Sequence, residues 1–253
     1  MEINFYKYQG TGNDFIILDQ RDNVFELSTA QIAELCDRKF GIGADGLIYL
    51  RSKDGFDFQM IYYNSDGKES TMCGNGGRAI CRFAADEGII DKKTHFIAID
   101  GAHEAFIDDN EVSLEMINVN SIEESGSDLI LNTGSPHYVI FQENIDRAEL
   151  TDIARAIRYN ERFKAEGINV NLVEVISDGN LKIRTYERGV EGETLSCGTG
   201  VTAAAISYAL KNSWTKNIAV STKGGKLSVS FIKENNVFTD ICLCGPAEFV
   251  FKG

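Results

Sequence analysis

The chain of 253 residues repeats itself. "MCGNGGRAICRFAADEG", from Met72 to Gly88, returns as "SCGTGVTAAAISYALKN", from Ser196 to Asn212. Both put cysteine, glycine, a polar residue and glycine ahead of a helix-like segment, with Cys73 and Cys197 spaced by 124 residues. The echo continues on either side. Glu69 and Glu193 each stand four residues before the cysteine, and "DGAHEAFI" aligns with "KGGKLSVSF" so that Gly101 falls on Gly225. Upstream, "TGNDFIIL" from Thr11 matches "TGSPHYVI" from Thr133, and "RKFGIGADGLIYL" matches "ERFKAEGINVNLVEV". Four segments in one order describe two copies of one unit, which constrains the fold more than any single motif.

Each copy has the same grammar. Short β-rich runs ("DFIILDQ", "GLIYLR", "FDFQMIYY", "HFIAI", "HEAFID", "EVSLEMI") surround two helical segments. The first helix is expected over Ser28 to Lys39, with Ser28 and Gln31 at capping-box spacing. Its counterpart is expected near Leu150 to Tyr159, and each second helix begins just after its cysteine. Strands outnumber helices in both halves, so the expected fold is α+β with two similar domains. The polar stretch Asn120 to Asp128 marks the boundary between them.

Composition limits the function. Hydrophobic content of 43%, charged content of 25% and two prolines describe a globular chain. A net charge of −13 with no basic face argues against nucleic acid and anionic membrane as partners. The start, "MEINFYKYQG", lacks the basic and apolar regions of a secretory signal, and no apolar run is long enough to span a bilayer. Six cysteines in a chain this long are expected as reduced thiols in a cytoplasmic protein. Cys242-Leu-Cys244 is a lone C-x-C with no second ligand pair, so no metal is expected, and its alternation reads as a strand.

Two stretches imitate phosphate loops. "GIGADG", Gly41 to Gly46, satisfies G-x-G-x-x-G, but it runs from helix to strand, the reverse of the dinucleotide order. "GTGVTA", Gly198 to Ala203, opens a helix but has no following Lys-Ser/Thr, and the long turn "RGVEGETLSC" separates it from the strand before.

The thiols carry more. A helix N-terminus leaves N–H groups unpaired and holds about half a positive charge, which favours thiolate and binds carboxylate. The dipole contributes about 0.3–1 kcal/mol, so even a one-unit depression leaves only about a quarter of the thiol ionised at pH 7. A neighbouring base or cation has to assist. Two such devices facing one cleft would hold one carboxylate and place a thiol on each side of its α-carbon. One cysteine would take the α-proton while the other delivers one to the opposite face, with no cofactor.

"GTGNDFIILD", "GIGADG", "YNSDGKESTMCGNGGR", "TGSPHYV", "GINV" and "YERGVEGETLSCGTG" together make the chain resemble the diaminopimelate epimerase family over nearly its whole length. The resemblance implies a pyridoxal-independent isomerase of lysine and peptidoglycan synthesis, interconverting LL- and meso-diaminopimelate, as a possible homodimer. It implies two pseudo-symmetric domains, each a β-barrel-like sheet wrapped around a central helix. The first would be residues 1–119 with a return segment at about 244–253, the second 120–243. By motif, Cys73 and Cys197 resemble the acid/base pair. Backbone amides at Gly74, Asn75, Gly198 and Thr199 resemble the holder of the reacting carboxylate. Asn13, Asn64, Asn169 and Arg188 are similar to the binders of the rest of the substrate, and His137 and Glu187, the latter counted with the substrate binders as well, to the pair that tunes the thiols. Arg188 suits a carboxylate and Asn can donate and accept.

The chain departs from the family pattern at Ser135, Gly46 and Ala79, where many members have Asn, Gln and a third cysteine. Proline and hydroxyproline racemases use a comparable cysteine pair, but usually with His where this chain has Asn75. A non-catalytic amino-acid-binding protein is the rival from another class, and proton exchange separates the two.

Overall fold

The computed structural model describes residues 3–70 and 72–253. The chain divides into two compact units: residues up to Leu114 together with Gly245–Gly253, and Glu115–Cys244.

In chain order the first unit holds β1 (Tyr6–Gly10), β2 (Asn13–Asp19), α1 (Thr29–Cys36), β3 (Gly46–Arg51), β4 (Gln59–Asn64), α2 (Gly74–Asp86), β5 (Lys93–Ala98), β6 (Gly101–Asp108) and β7 (Glu111–Glu115). The second holds β8 (Ile122–Ser125), β9 (Asp128–Asn132), β10 (Pro136–Phe141), α3 (Leu150–Arg158), β11 (Asn169–Ser177), β12 (Asn180–Glu187), β13 (Gly192–Thr194), α4 (Gly198–Lys211), β14 (Ile218–Thr222), β15 (Gly225–Glu234) and β16 (Val237–Pro246). β17 (Glu248–Lys252) closes the chain.

The pairings repeat with the sequence. The antiparallel hairpin β1–β2 corresponds to β9–β10, and β2 is parallel to β3 as β10 is to β11. β3–β4 and β11–β12 are antiparallel, and a parallel step follows in each unit, β4–β5 and β12–β14. Even the short β13 has its counterpart. Glu193 faces Tyr186 in the second unit, and Glu69 faces Tyr63 through an isolated bridge in the first.

A continuous apolar strand such as "FIIL" in β2 is explained by burial on both faces. Ile16 and Leu18 pack with Leu47, Tyr49 and the buried side of α1, Ile32 and Cys36. Phe15, Ile48 and Met60 point the other way, against α2 at Gly76. The second unit repeats this arrangement: Val170 and Leu172 pack with Leu150 and Ala154 of α3, while Asn171 points at α4. α2 and α4 are therefore the central helices, each packed against strands of its own unit: β1, β2, β3, β4, β6 and β17 around α2, and β9, β10, β11, β12, β14 and β15 around α4. The run Val201 to Ala209 of α4 is buried throughout, and its alanines let the strands approach closely. This is the expected α+β fold of two pseudo-symmetric domains.

Two local expectations are corrected. The first helix stops at Cys36, short of Lys39, because Asp37 turns extended and its side chain accepts from the backbone N–H groups of Lys39 and Phe40. Its start is as read, with the Ser28–Gln31 capping box formed. The stretch "RGVEGETLSC" holds a strand, Gly192–Thr194, where a long turn was expected. The polar run 120–128 carries the β8–β9 hairpin, Ser125 opposite Asp128.

Candidate active site

In the first unit, the β1–β2 turn passes through Thr11 and Gly12 with φ of 51° and 81° and delivers Asn13 to the start of β2. Cys73 is the residue immediately before α2. Its backbone is extended, and its carbonyl accepts from Gly77 N at 2.7 Å. Gly74 and Asn75 form the buried first turn. Cys73 Sγ donates to Asn13 Oδ1 at 3.7 Å, and Asn75 Nδ2 donates to the same oxygen at 3.3 Å. Arg78, fully buried, donates to Asn75 Oδ1 at 3.0 Å and Thr11 Oγ1 at 3.3 Å.

The "GIGADG" loop stands behind Asn13. Gly43 has φ of 81°, and the order is helix, glycines, strand, as the sequence indicates. Asp45 Oδ2 accepts from Asn13 Nδ2 at 2.7 Å, and Asp45 Oδ1 accepts from Arg38 Nη2 at 2.6 Å. Arg38 also bonds Asp14, whose second cation is the buried Lys7 at 2.8 Å. Partial burial pushes the Asp14 carboxyl up, but Arg38 and Lys7 outweigh it and hold the group down at about 2.

In the second unit, Cys197 is the extended residue before α4 and is buried. Thr199 Oγ1 lies 3.5 Å from Cys197 Sγ and 2.9 Å from His137 Nε2. Asn171 Nδ2 donates to His137 Nδ1 at 3.0 Å and to Tyr138 O at 3.2 Å. Because Nδ1 accepts, a neutral His137 carries its proton on Nε2 and donates to Thr199. His137 is fully buried, and burial, then the charge of Arg188, pushes it down to about 3, against the Asn171 bond. It is neutral at physiological pH. Asn169 Nδ2 donates to Ser135 Oγ at 2.9 Å, and its Oδ1 accepts from Arg188 N at 2.9 Å. Arg188 Nη1 donates to Glu166 O at 3.0 Å, and Glu187 Oε1 accepts from Thr194 Oγ1.

The residues singled out from sequence thus form two clusters. Asn13, Cys73 and Asn75, with Gly74, gather in the first unit. His137, Asn169, Arg188, Cys197 and Thr199, with Gly198, gather in the second. Glu187 ends β12 there, and Asn64 closes the β4 turn through backbone bonds with Gly67 and Lys68. Sequence reading missed Asp45, Asn171 and the Thr199 hydroxyl. Asn171 had a signal: it stands two residues after Asn169 on a strand, hence on the same face. Gly46 has a local cause, since a β-carbon there would sit 2.5 Å from Tyr62 Cε2 and from Tyr63 O.

Solved structures share the fold. A Bacillus anthracis phenazine biosynthesis protein of the PhzF family superposes with a TM-score of 0.77 at 15% identity, covering 100% of this chain and 99% of its own. A hydroxyproline epimerase from Agrobacterium vitis gives 0.74 at 12% identity, covering 99% and 91%. The family model "Diaminopimelate epimerase" matches residues 5–122 and 129–250. The diaminopimelate epimerase of Flavobacterium psychrophilum is 52% identical over 99% of both chains. That of Aquifex aeolicus is 37% identical over 99% of this chain and 97% of its own. With this duplicated fold and its two cysteine-glycine helix starts, the protein is an isomerase, an epimerase acting on a small amino acid. The chain belongs to the diaminopimelate epimerase family.

Proposed function

We propose that the chain interconverts LL- and meso-2,6-diaminopimelate without a cofactor, by proton transfer between two cysteines at one α-carbon. The observation that carries this is full-length similarity at 52% identity in a chain that retains both cysteine-glycine helix starts. Cys73 and Cys197 are the acid and base. The backbone N–H groups of Gly74, Asn75, Gly198 and Thr199, which point outward at the two helix starts, hold the reacting carboxylate and stabilise charge as the α-proton leaves. Asn13, Asn64, Asn169 and Arg188 bind the remainder of the substrate. His137 and Glu187 adjust the thiols, and Glu187 also lies among the substrate's contacts. Residues 1–119 with 244–253, and 120–243, are the two catalytic halves.

The enzyme serves lysine and peptidoglycan precursor synthesis in the cytoplasm, a reading supported by six free thiols. Among the described residues no helix is long and apolar enough to cross a membrane. The net charge of −13 supports a partner list without nucleic acid. A homodimer belongs to this reading, supported by the exposed Phe249, Val250 and Phe251 of β17, and sedimentation tests it.

Incubation with diaminopimelate in heavy water should place deuterium on one α-carbon. Cys73→Ala and Cys197→Ala should each lower kcat by at least about 100-fold, the general acid–base contribution. Binding with no exchange, or near-normal turnover by either variant, sinks the assignment.

A further inference from the structure

The hydrogen-bonded run behind Cys73 has fixed ends. A guanidinium only donates and a carboxylate only accepts, whereas an amide can turn either way. Arg78 Nη2 donates to Asn75 Oδ1, so the Asn75 amide must point its nitrogen onward, and Nδ2 donates to Asn13 Oδ1 at 3.3 Å. Asn13 in turn donates from Nδ2 to Asp45 Oδ2 at 2.7 Å. Arg38 holds the other oxygen of Asp45 at 2.6 Å. With a donor-only group at one end and an acceptor-only group at the other, each amide has one orientation that satisfies its neighbours. The consequence falls on the thiol: Asn13 presents oxygen, not nitrogen, to Cys73 Sγ at 3.7 Å.

We propose that Asp45 is a positioning residue for the reaction, acting through Asn13: its carboxylate fixes the amide so that the carbonyl oxygen faces Cys73. This rests on the reading of Cys73 as a catalytic acid/base. It also assigns a use to the "GIGADG" loop, which brings Asp45 behind Asn13 through the positive-φ Gly43. The two matching positions of the second unit carry no amide to orient. The positions matching Asn13 and Asn75 in the repeat are Ser135 and Thr199, whose hydroxyls rotate to suit their partners. Orientation has to be imposed only where amides stand.

Asp45→Asn keeps size and shape but removes the acceptor-only end. The Asp45 side chain is 40% exposed, so the change does not empty a core position. In the intact enzyme, kcat/KM for diaminopimelate should fall by about 10- to 100-fold, the scale of a small misplacement at a reacting centre. In an Asn13→Ala background the same substitution should cost less than about twofold, the limit of ordinary non-additivity. A merely structural Asp45 would cost the same factor in both backgrounds, and that result, or no loss with Asn13 present, overturns the proposal. The second measurement reads no turnover. The Asn13 side-chain amide signals in a nitrogen–proton correlation spectrum, identified by their loss in Asn13→Ala, should move in Asp45→Asn, and unmoved signals overturn it as well. Moved signals in a protein with no epimerase activity would keep the orienting role and remove only the catalytic reading.

Discussion

At the scale of the residue, the two thiols share a helix start but not their side-chain company. Cys73 faces an amide oxygen; Cys197 faces a hydroxyl that His137 also touches. With Nε2–H donating to Thr199, the hydroxyl proton is available to the sulfur of Cys197. Thr199→Val should therefore lower kcat by about tenfold, one general hydrogen-bond contribution of about 1–1.5 kcal/mol, and Thr199→Ser should restore most of it. Steady-state kinetics on the two variants checks this. His137 gives a pH signature. Its native value of about 3 lies below the ordinary 6.5, so below pH 6.5 the unfolded chain takes up a proton that the native chain refuses. Stability should be full above about pH 6.5 and fall as pH drops toward 3. Asp14, held at about 2 against an ordinary 3.8, loses its contribution as pH falls from about 4 toward 2. Denaturant unfolding between pH 6.5 and 4.5 should show a flatter profile for His137→Asn than for the parent.

At the scale of the element, helix starts were legible and helix ends less so. The Ser28–Gln31 spacing names its own structure, because a capping box uses only local atoms. Ser28→Ala should cost about 1 kcal/mol in chemical denaturation with little change in kcat. The stop at Cys36 depends on a side-chain turn by Asp37 that competes with further helix, and propensity does not resolve that competition. The central helices carry glycines of unequal tolerance. A β-carbon on Gly200 would lie 2.6 Å from Asn171 Oδ1, whereas one on Gly76 would meet the flexible ends of Ile48 and Met60 at 3.3 Å. Gly200→Ala should displace Asn171, loosen His137 and reduce kcat more than Gly76→Ala does. Comparing the two variants in one activity assay, with melting curves alongside, tests this.

At the scale of the molecule, duplication has a topological consequence. β8 follows the first copy of the repeat in sequence but pairs with β9 of the second unit, and β17 follows the second copy but pairs with β1 of the first. Each unit is thus completed by the strand that ends the other copy. β17 adds ring contacts, Phe249 to Tyr8 at 5.5 Å and Phe251 to Phe5 at 5.8 Å. Removing residues 247–253 should leave β1 with an open edge and lower the melting temperature by about 5–10 °C, as expected for a loss of 2–3 kcal/mol in a protein of this size. A calorimetric scan of the truncated chain reads that shift.

The amino-acid sequence by itself determined the duplication, the α+β class, the two cysteines at helix starts and the family. All of these are carried by local pattern or by repetition at a fixed offset, which need no knowledge of distant neighbours. The tertiary structure decided what surrounds each thiol. Asp45 meets Asn13 across 32 residues, and His137 meets Thr199 across 62. Such contacts depend on which strands lie side by side and on which face of each is inward. Hydrogen-bond polarity then follows from the partner that packing supplies, and an asparagine in a sequence does not reveal which way its amide will turn.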